Sequence, residues 1–399
     1  MTFRKILFWS HLVCGVAAGL LIAIMSFTGA ALAFEKDIVA WAERDARRIV
    51  PPAEAAPRLP LDELLQRARA AQPDLRVANL TVTTDPRDAV AFGAPGNRTF
   101  CVNPFTGEVR EALAPRTRAF MQSMRNWHTR LNFAATPGKP NAGAQANSAA
   151  NVAFVLLGLS GLVLWWPTAW NARVLRPSLW FIPKARGRAR DWNWHNAIGF
   201  WSLPLLLVLA STGVVLSYRW ANDLVFQLAG EKAPIPGGAP STPSSAPRPA
   251  TPTPPAATPA SGLSPEALLA AAQKPYADWA QITLRFNPPL AAGPSAAPAP
   301  KTFSATVKEQ SPWPPFGTIA LTLDAATGAV TRTDTFDALS AGNRARRWIR
   351  LLHSGEALGT FVQFLSGLAC VGGCVLVYTG LALSWRRFFG KQPSQPTAT

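Results

Sequence analysis

The stretch that decides the fold runs from residue 195 to residue 218 and reads HNAIGFWSLPLLLVLASTGVVLSY. It contains no Asp, Glu, Lys or Arg, and a helix needs only about 20 apolar residues to cross a bilayer. Three further uncharged apolar runs lie at about residues 12–34, 149–166 and 357–385. The sequence therefore predicts four membrane helices.

Composition and charge limit the classes of protein that fit. Only 15% of the 399 residues are charged, below the quarter that is usual in soluble domains, which excludes an ordinary soluble enzyme. The net charge of +17 does not gather on one stripe or helix face, so no nucleic-acid partner is expected. The basic residues lie instead beside the apolar runs, where they set membrane orientation.

The second half of the chain repeats the first. A shift of 184 residues matches His11, Gly15, Thr28 and Gly29 with His195, Gly199, Thr212 and Gly213. Two further matches complete the repeat: Ser160-Gly161-Leu162 with Thr379-Gly380-Leu381, and Arg125-x-x-His128 with Arg350-x-x-His353. A cleavable signal peptide is the alternative interpretation of the first run, because Arg4 and Lys5 precede it and Ala31-Leu32-Ala33 ends it. Its internal counterpart cannot be a signal.

The four histidines of the chain all belong to the repeated motifs. His11 and His195 begin runs one and three, and His128 and His353 precede runs two and four, so each membrane face receives two. Histidine pairs on facing helices suit axial ligation of haem iron, and a bis-histidine iron favours electron transfer. Interfacial histidines that bond to lipid or to loop carbonyls are the alternative. Two ligands per level fall short of a zinc site.

Two other residue pairs are candidates for the same cofactor. Gly15 and Gly199 follow their histidines by one helical turn and would admit a flat macrocycle, although close helix packing is an equal alternative. Arg125 and Arg350 precede the outer histidines by three residues and would bind haem propionates, or else lipid phosphate. No CxxCH motif is present, so a covalent c-type haem is not expected.

The paired His-x-x-x-Gly…Thr-Gly helices and the Ser/Thr-Gly-Leu…Trp helix ends resemble the PepSY-associated transmembrane family, over about residues 3–390. The resemblance implies b-type haem, two per chain, held by His11 with His195 and by His128 with His353. It also implies a bacterial inner-membrane protein that reduces ferric siderophores for iron uptake. The stretch from His128 to Gly161 is six residues longer than its counterpart, which predicts a separate interfacial helix for His128.

The expected architecture is a mainly α membrane protein, with a four-helix bundle from a parallel two-fold repeat and two small α+β, PepSY-like periplasmic domains. Both termini are expected in the cytoplasm. The predicted order is helix 1 (1–34), domain 1 (35–147, with an amphipathic helix near 116–133), helix 2 (148–167), a basic cytoplasmic loop (168–194), helix 3 (195–218), domain 2 (219–355, with a Pro-rich linker at 233–262), helix 4 (356–386) and a cytoplasmic tail (387–399).

The leading functional hypothesis is a di-haem reductase that needs no acid, base or nucleophile of its own. Its expected partners are membrane lipid, a ferric siderophore and an electron donor, either quinol or a cytoplasmic reductase. The alternative is a non-enzymatic membrane protein whose PepSY-like domains bind peptides or regulate a partner. A transporter subunit is disfavoured, because no ionisable residue interrupts the apolar runs.

Overall fold

The structure is a computed structural model that describes residues 2–51, 57–234, 263–290 and 302–390. It divides into two compact units, which we call the helical unit and the sheet unit. The helical unit comprises Met1–Glu35, Arg118–Glu231 and Ala345–Thr399, and the sheet unit comprises Lys36–Thr117 and Lys232–Arg344. Of the predicted Pro-rich linker, residues 235–262 lie outside the described residues, as does the predicted tail beyond residue 390.

The described residues form twelve α-helices and eight β-strands. In chain order the helices are α1 (Phe3–Ala33), α2 (Glu35–Ala42), α3 (Arg44–Arg47), α4 (Leu61–Ala71), α5 (Pro115–Arg130), α6 (Ala142–Trp165), α7 (Ala172–Leu179), α8 (Gly187–Ser217), α9 (Arg219–Leu228), α10 (Pro265–Gln273), α11 (Ala341–Ser354) and α12 (Thr360–Phe389). The strands are β1 (Val77–Thr83), β2 (Val90–Ala94), β3 (Arg98–Val102), β4 (Val109–Glu111), β5 (Trp279–Leu290), β6 (Thr302–Glu309), β7 (Ile319–Asp324) and β8 (Val330–Asp334).

Four helices of the described residues, α1, α6, α8 and α12, are long and apolar enough to cross a membrane. They confirm the prediction of a multi-pass, mainly helical membrane protein. Each packs on two neighbours, in the cyclic order α1, α6, α8, α12, so α1 lies diagonally across the bundle from α8. The helix α8 starts eight residues before the predicted third run and therefore carries Asp191 and Arg190 into the bundle.

Both outer histidines lie on helices of their own. His128 is on α5 and His353 is on α11, and neither helix is continuous with the following membrane helix. In the second half two glycines make the break: Gly355 has a φ of 77° and Gly359 a φ of 87°. Such left-handed backbone ends a helix and favours glycine. The sequence predicts a separate helix only for His128, because the break before α12 adds few residues.

The sheet unit contains a single antiparallel sheet with the strand order β4-β3-β2-β1-β5-β6-β7-β8. The first long segment supplies four strands and the second supplies the other four, as the repeat requires. Turns at Gly107 and Gly328 join β3 to β4 and β7 to β8, with φ values of 74° and 71° at the glycines. The helices α4 and α10 cover the buried face of the sheet.

The two segments meet where β1 pairs with β5. Thr81 and Thr283 are partners in this pairing, and their hydroxyl oxygens lie 3.0 Å apart. Leu64 of α4 and Leu268 of α10 belong to the same hydrophobic core, and each is 1% exposed. The sequence predicts two small α+β domains, whereas the structure joins the described strands of both segments in one sheet over one core.

Candidate functional site

The helical unit brings the four histidines together as two pairs. The rings of His128 and His353 lie with their centroids 6.1 Å apart and their planes tilted by 49°. His11 and His195, on the diagonally placed α1 and α8, line one cavity of about 750 Å³. These pairs are the ones that the repeat predicts, one at each end of the bundle.

The two pairs lie at different levels along the helices. Thr28, which contacts His128, follows His11 on α1 by seventeen residues, and Thr212, which contacts His353, follows His195 on α8 by the same number. At 1.5 Å per residue the levels are about 25 Å apart. The hydrocarbon core of a bilayer is about 30 Å thick, so the separation of the two levels is close to that thickness.

Each histidine ring contacts a hydroxyl group on a neighbouring helix through its Nδ1 atom. The four hydroxyls come from the Ser/Thr-Gly dipeptides of the repeat. The Nδ1–Oγ distances are 2.8 Å for His11 and Ser160, 2.9 Å for His195 and Thr379, 3.0 Å for His128 and Thr28, and 3.2 Å for His353 and Thr212.

The direction of these hydrogen bonds follows from where each hydroxyl proton goes. All four hydroxyls donate to the backbone carbonyl four residues earlier in their own helix: Thr28 to Ile24 at 2.7 Å, Thr212 to Val208 at 2.6 Å, Ser160 to Leu156 at 2.7 Å and Thr379 to Val375 at 2.8 Å. A hydroxyl has one proton to donate. Towards the histidine it is therefore the acceptor, and Nδ1–H is the donor.

This pattern fixes the tautomer of every ring. A neutral imidazole that carries its proton on Nδ1 has a bare lone pair on Nε2, the atom that binds a metal. At the outer level, backbone carbonyl oxygens support the same tautomer because they can only accept a hydrogen bond. Met25 O lies 3.1 Å from His128 Nδ1, and Leu209 O lies 2.9 Å from His353 Nδ1. Desolvation lowers the pKa of His128 to about 4 and also lowers that of His353, so both rings are neutral at pH 7.

The glycine of each dipeptide makes room for the ring. A Cβ atom added to Gly29 or Gly213 would lie 3.3 or 3.2 Å from Cε1 of the outer histidine. Added to Gly161 or Gly380, it would lie 3.4 Å from Cε1 of the inner one. The contacts at Gly29 and Gly213 are tighter than most Cβ atoms make, and those at Gly161 and Gly380 lie at the limit of ordinary contact, so glycine lets the hydroxyl and the imidazole approach. In the sequence these dipeptides are recognisable only as part of the repeat, and their role at the histidines depends on contacts between helices.

The predicted glycines Gly15 and Gly199 both line the inner cavity. A Cβ atom there would make only ordinary contacts, 3.7 Å from Leu157 and 3.5 Å from Leu376. Helix packing therefore does not require glycine at these positions, and a side chain would take up cavity space instead. This favours the first of the two interpretations that the sequence allows. The cavity has the volume of a small-molecule site, about 300–1,000 Å³.

The two arginines that are predicted to bind haem propionates, Arg125 and Arg350, have different partners in the structure. Arg125 makes an ion pair with Glu35, so it has a carboxylate partner within the protein. Arg350 is exposed on α11, four residues after Arg346, whose pKa is lowered by desolvation and by the charge of Arg350. Of the two candidates for propionate binding, the structure leaves Arg350 as the one with no ion pair among the described side chains.

The arrangement fits a haem better than a bare metal ion. Among the described residues no group of three or more His, Cys, Asp or Glu side chains is placed to hold a metal. A porphyrin supplies four nitrogens, so two imidazoles complete its iron. With metal–nitrogen bonds of about 2 Å, two imidazoles on one metal have ring centres about 6 Å apart, and His128 and His353 match this at 6.1 Å.

A known protein family matches nearly the whole chain. A family model described as the PepSY-associated TM region matches residues 8–387. The matched residues include all four histidines and all four Ser/Thr-Gly dipeptides. No curated protein matches the sequence.

Proposed function

The chain belongs to the PepSY-associated transmembrane family, and from this premise we propose that it is a di-haem electron-transfer protein that reduces ferric siderophores. His11 and His195 would hold the inner haem b, and His128 and His353 the outer one. The observation that carries the proposal is the hydrogen bonding of all four Nδ1 atoms, which leaves four bare Nε2 atoms in two pairs.

The residues of the helical unit would position each histidine ring, set its tautomer and surround the inner cofactor with apolar side chains. Each Ser/Thr hydroxyl accepts the Nδ1–H of its imidazole, which leaves Nε2 on the other side of the ring free for a metal, and hydrogen bonds of this kind also raise ligand basicity. The four histidines would hold the haems, which would supply one-electron transfer chemistry when bound. Apolar side chains of the four helices, such as Leu203, Leu206 and Leu376, make up much of the lining of the inner cavity.

We further propose that the protein lies in the bacterial inner membrane with both termini in the cytoplasm. The support is the charge of the short segments: four basic residues between α6 and α8 and two more, Arg188 and Arg190, in the first turn of α8, with Arg4 and Lys5 at the start and Arg386 and Arg387 at the end of α12. Short basic segments stay on the cytoplasmic side. Both long segments are then periplasmic, because two membrane helices separate them.

The substrate assignment rests on the family resemblance. One electron from the outer level would convert the ferric iron of a siderophore to ferrous iron, which the hard oxygen ligands of the chelator bind less tightly. The transfer is outer-sphere, so no side chain acts as acid, base or nucleophile. Electrons would reach the inner level from quinol or from a cytoplasmic reductase.

The test starts from purified protein produced in cells supplied with haem precursor. We expect two b-type haems per chain and a Soret band that shifts on reduction. After removal of oxygen and reductant, ferric siderophore should reoxidise the haems while a chelator traps one ferrous ion per electron. If other acceptors reoxidise the haems and no ferric chelate does, the substrate assignment is wrong. A colourless protein would support the non-enzymatic, peptide-binding or regulatory alternative instead.

A further inference from the structure

The inner cavity is lined by a cluster of positive charges as well as by two histidines. No Asp or Glu among the described residues lines it. Like charges that converge without an acid repel each other, and an anion at this position relieves the repulsion. We call the cluster the cationic lining, and it consists of Arg4, Lys5, Arg188 and Arg387.

Two members of the cationic lining are related by the internal repeat. Arg4 precedes His11 by seven residues, and Arg188 precedes His195 by seven residues. Seven residues are two helical turns, so each arginine lies on the same face of its helix as the histidine, about 10 Å nearer to the helix start. The two halves of the chain thus place one guanidinium each at the same end of the cavity.

Two neighbouring arginines make ion pairs, whereas the described residues place no acid in an ion pair with any member of the cationic lining. The carboxylate of Asp191, which is fully buried, lies 2.7 Å from Arg190 and 3.1 Å from Arg386. Each of these arginines is within two residues of a lining arginine, Arg188 or Arg387. Asp191 Oδ1 accepts hydrogen bonds from Arg190, and Oδ2 makes an ion pair with Arg386, so this carboxylate is already paired with two other arginines.

Two side chains of the cationic lining are held in place by contacts that leave some of their own N–H donors free. Arg4 donates one N–H to the carbonyl of Leu164 at 2.8 Å. The guanidinium of Arg387 stacks over the rings of Phe8 and Trp9, at 4.9 and 5.1 Å from their centroids. A guanidinium carries five N–H donors in its plane, so a stacked or singly bonded one still has a free edge for a carboxylate.

From this placement we propose that the cationic lining binds the two propionate carboxylates of the tetrapyrrole held between His11 and His195. The proposal rests on the function proposed above and adds the group that sets the orientation of the inner macrocycle. The propionate edge then faces the end of the bundle where α1 and α8 begin. Lipid phosphate offers similar anionic chemistry, and the experiment separates the two.

The experiment compares haem with its dimethyl ester, which keeps the macrocycle and lacks the two negative charges. Full-length protein with His128→Ala and His353→Ala retains only the inner ligands, and Soret titration gives the dissociation constant for each form. We expect haem to bind about tenfold or more tightly than the ester, because charge-assisted bonds are lost. The additional change Arg4→Gln with Arg188→Gln should weaken haem binding by a similar factor and abolish the preference over the ester.

A matched control is available on α7. Arg173 and Arg176 are exposed, basic and outside the cavity, so Arg173→Gln with Arg176→Gln should keep the preference for haem. Arg4→Lys with Arg188→Lys should restore part of it. Native mass spectrometry of the same substitutions in protein with all four histidines counts haem and ester per chain without relying on the two-histidine background.

The outcomes separate this inference from the proposed function. Equal binding of haem and ester by the parent protein overturns the inference, as does an equal loss in the α7 control. Loss of bound anionic lipid in Arg4→Gln/Arg188→Gln protein, with haem affinity unchanged, assigns the cationic lining to lipid and also overturns it. Protein that binds no haem at either level overturns the proposed function itself.

Discussion

Thr379 Oγ1 lies 2.9 Å from Nδ1 of His195 and gives its own proton to the carbonyl of Val375. The hydroxyl is therefore an acceptor with a fixed direction, set by the helix on which it lies. Nothing in the local sequence of α8 reveals this, because the partner comes from α12. The relationship makes the hydroxyl as specific a part of the site as the histidine.

Thr379→Val removes the acceptor and keeps the shape of the side chain. The Nδ1–H of His195 then lacks the hydroxyl, and the ring is free to rotate or change tautomer. Loss of a second-shell partner typically costs about 10–100-fold in metal affinity, so we expect inner haem binding to weaken by that factor in a Soret titration. Thr129→Val is the control, because the Thr129 hydroxyl bonds to Arg125 O and to no histidine. Equal effects in the two variants would contradict the assignment.

His195→Ala should remove about half of the haem and leave the outer pair in place, since His128 and His353 contact each other about 25 Å away along the helices. Pyridine haemochrome assay of the purified variant measures the ratio of haem to protein. His353→Ala should lose the other half. Complete loss of haem in both variants would mean a single shared site or a general failure to fold, and the two-level arrangement would then be wrong.

Asp191→Asn should destabilise the helical unit. Asp191 is buried against two arginines of which 36% and 41% of the side chain is exposed. Removal of one partner of a buried ion pair costs about 3–5 kcal/mol, and the exposure of the arginines reduces this to about 1–3 kcal/mol. A thermal unfolding scan should show a midpoint several degrees lower. Asp223→Asn, which breaks the more exposed pair with Arg219, should change the midpoint little.

Leu284→Ala should expose both long segments to protease at once. Leu284 is fully buried on β5, opposite Leu80 of β1, in the core shared by both segments. A cavity of this kind costs about 2–5 kcal/mol. Limited proteolysis followed by mass mapping should show faster cleavage in residues 36–117 as well as in 232–344. Thr333→Ala on the exposed face of β8 is the control, and faster cleavage confined to the second segment would indicate independent domains.

The topology has its own test. Reporter fusions after Gly107 and after Lys184 should report opposite sides of the membrane, with Lys184 in the cytoplasm, because the loop around Lys184 carries the excess of basic residues. An alkaline phosphatase fusion and a fluorescent fusion at each position give opposite signals. Matching signals at the two positions would contradict the arrangement.

The membrane helices and the histidine pairs can be predicted from the sequence because both depend on features that are visible along the chain. These features are long uncharged runs and a residue type that occurs only four times. Pairing across the chain has no local signature. The hydrogen bond from His195 to Thr379 depends on which helix lies beside α8, and the pairing of Thr81 with Thr283 depends on which edge of a sheet lies open. The repeat marks these residues without showing what they contact.

The pairing of β1 with β5 also constrains the order in which the protein is synthesised and folded. Thr81 and Thr283 are 202 residues apart, and at a synthesis rate of about 5–20 residues per second β1 waits about 10–40 s for its partner. During this time α6 and α8 are inserted while the edge of β1 offers unpaired backbone groups to any passing strand. A chain that stops after α8 leaves this edge permanently open. The sheet is thus completed only after the third membrane helix is in place, and each half depends on a partner strand from the other.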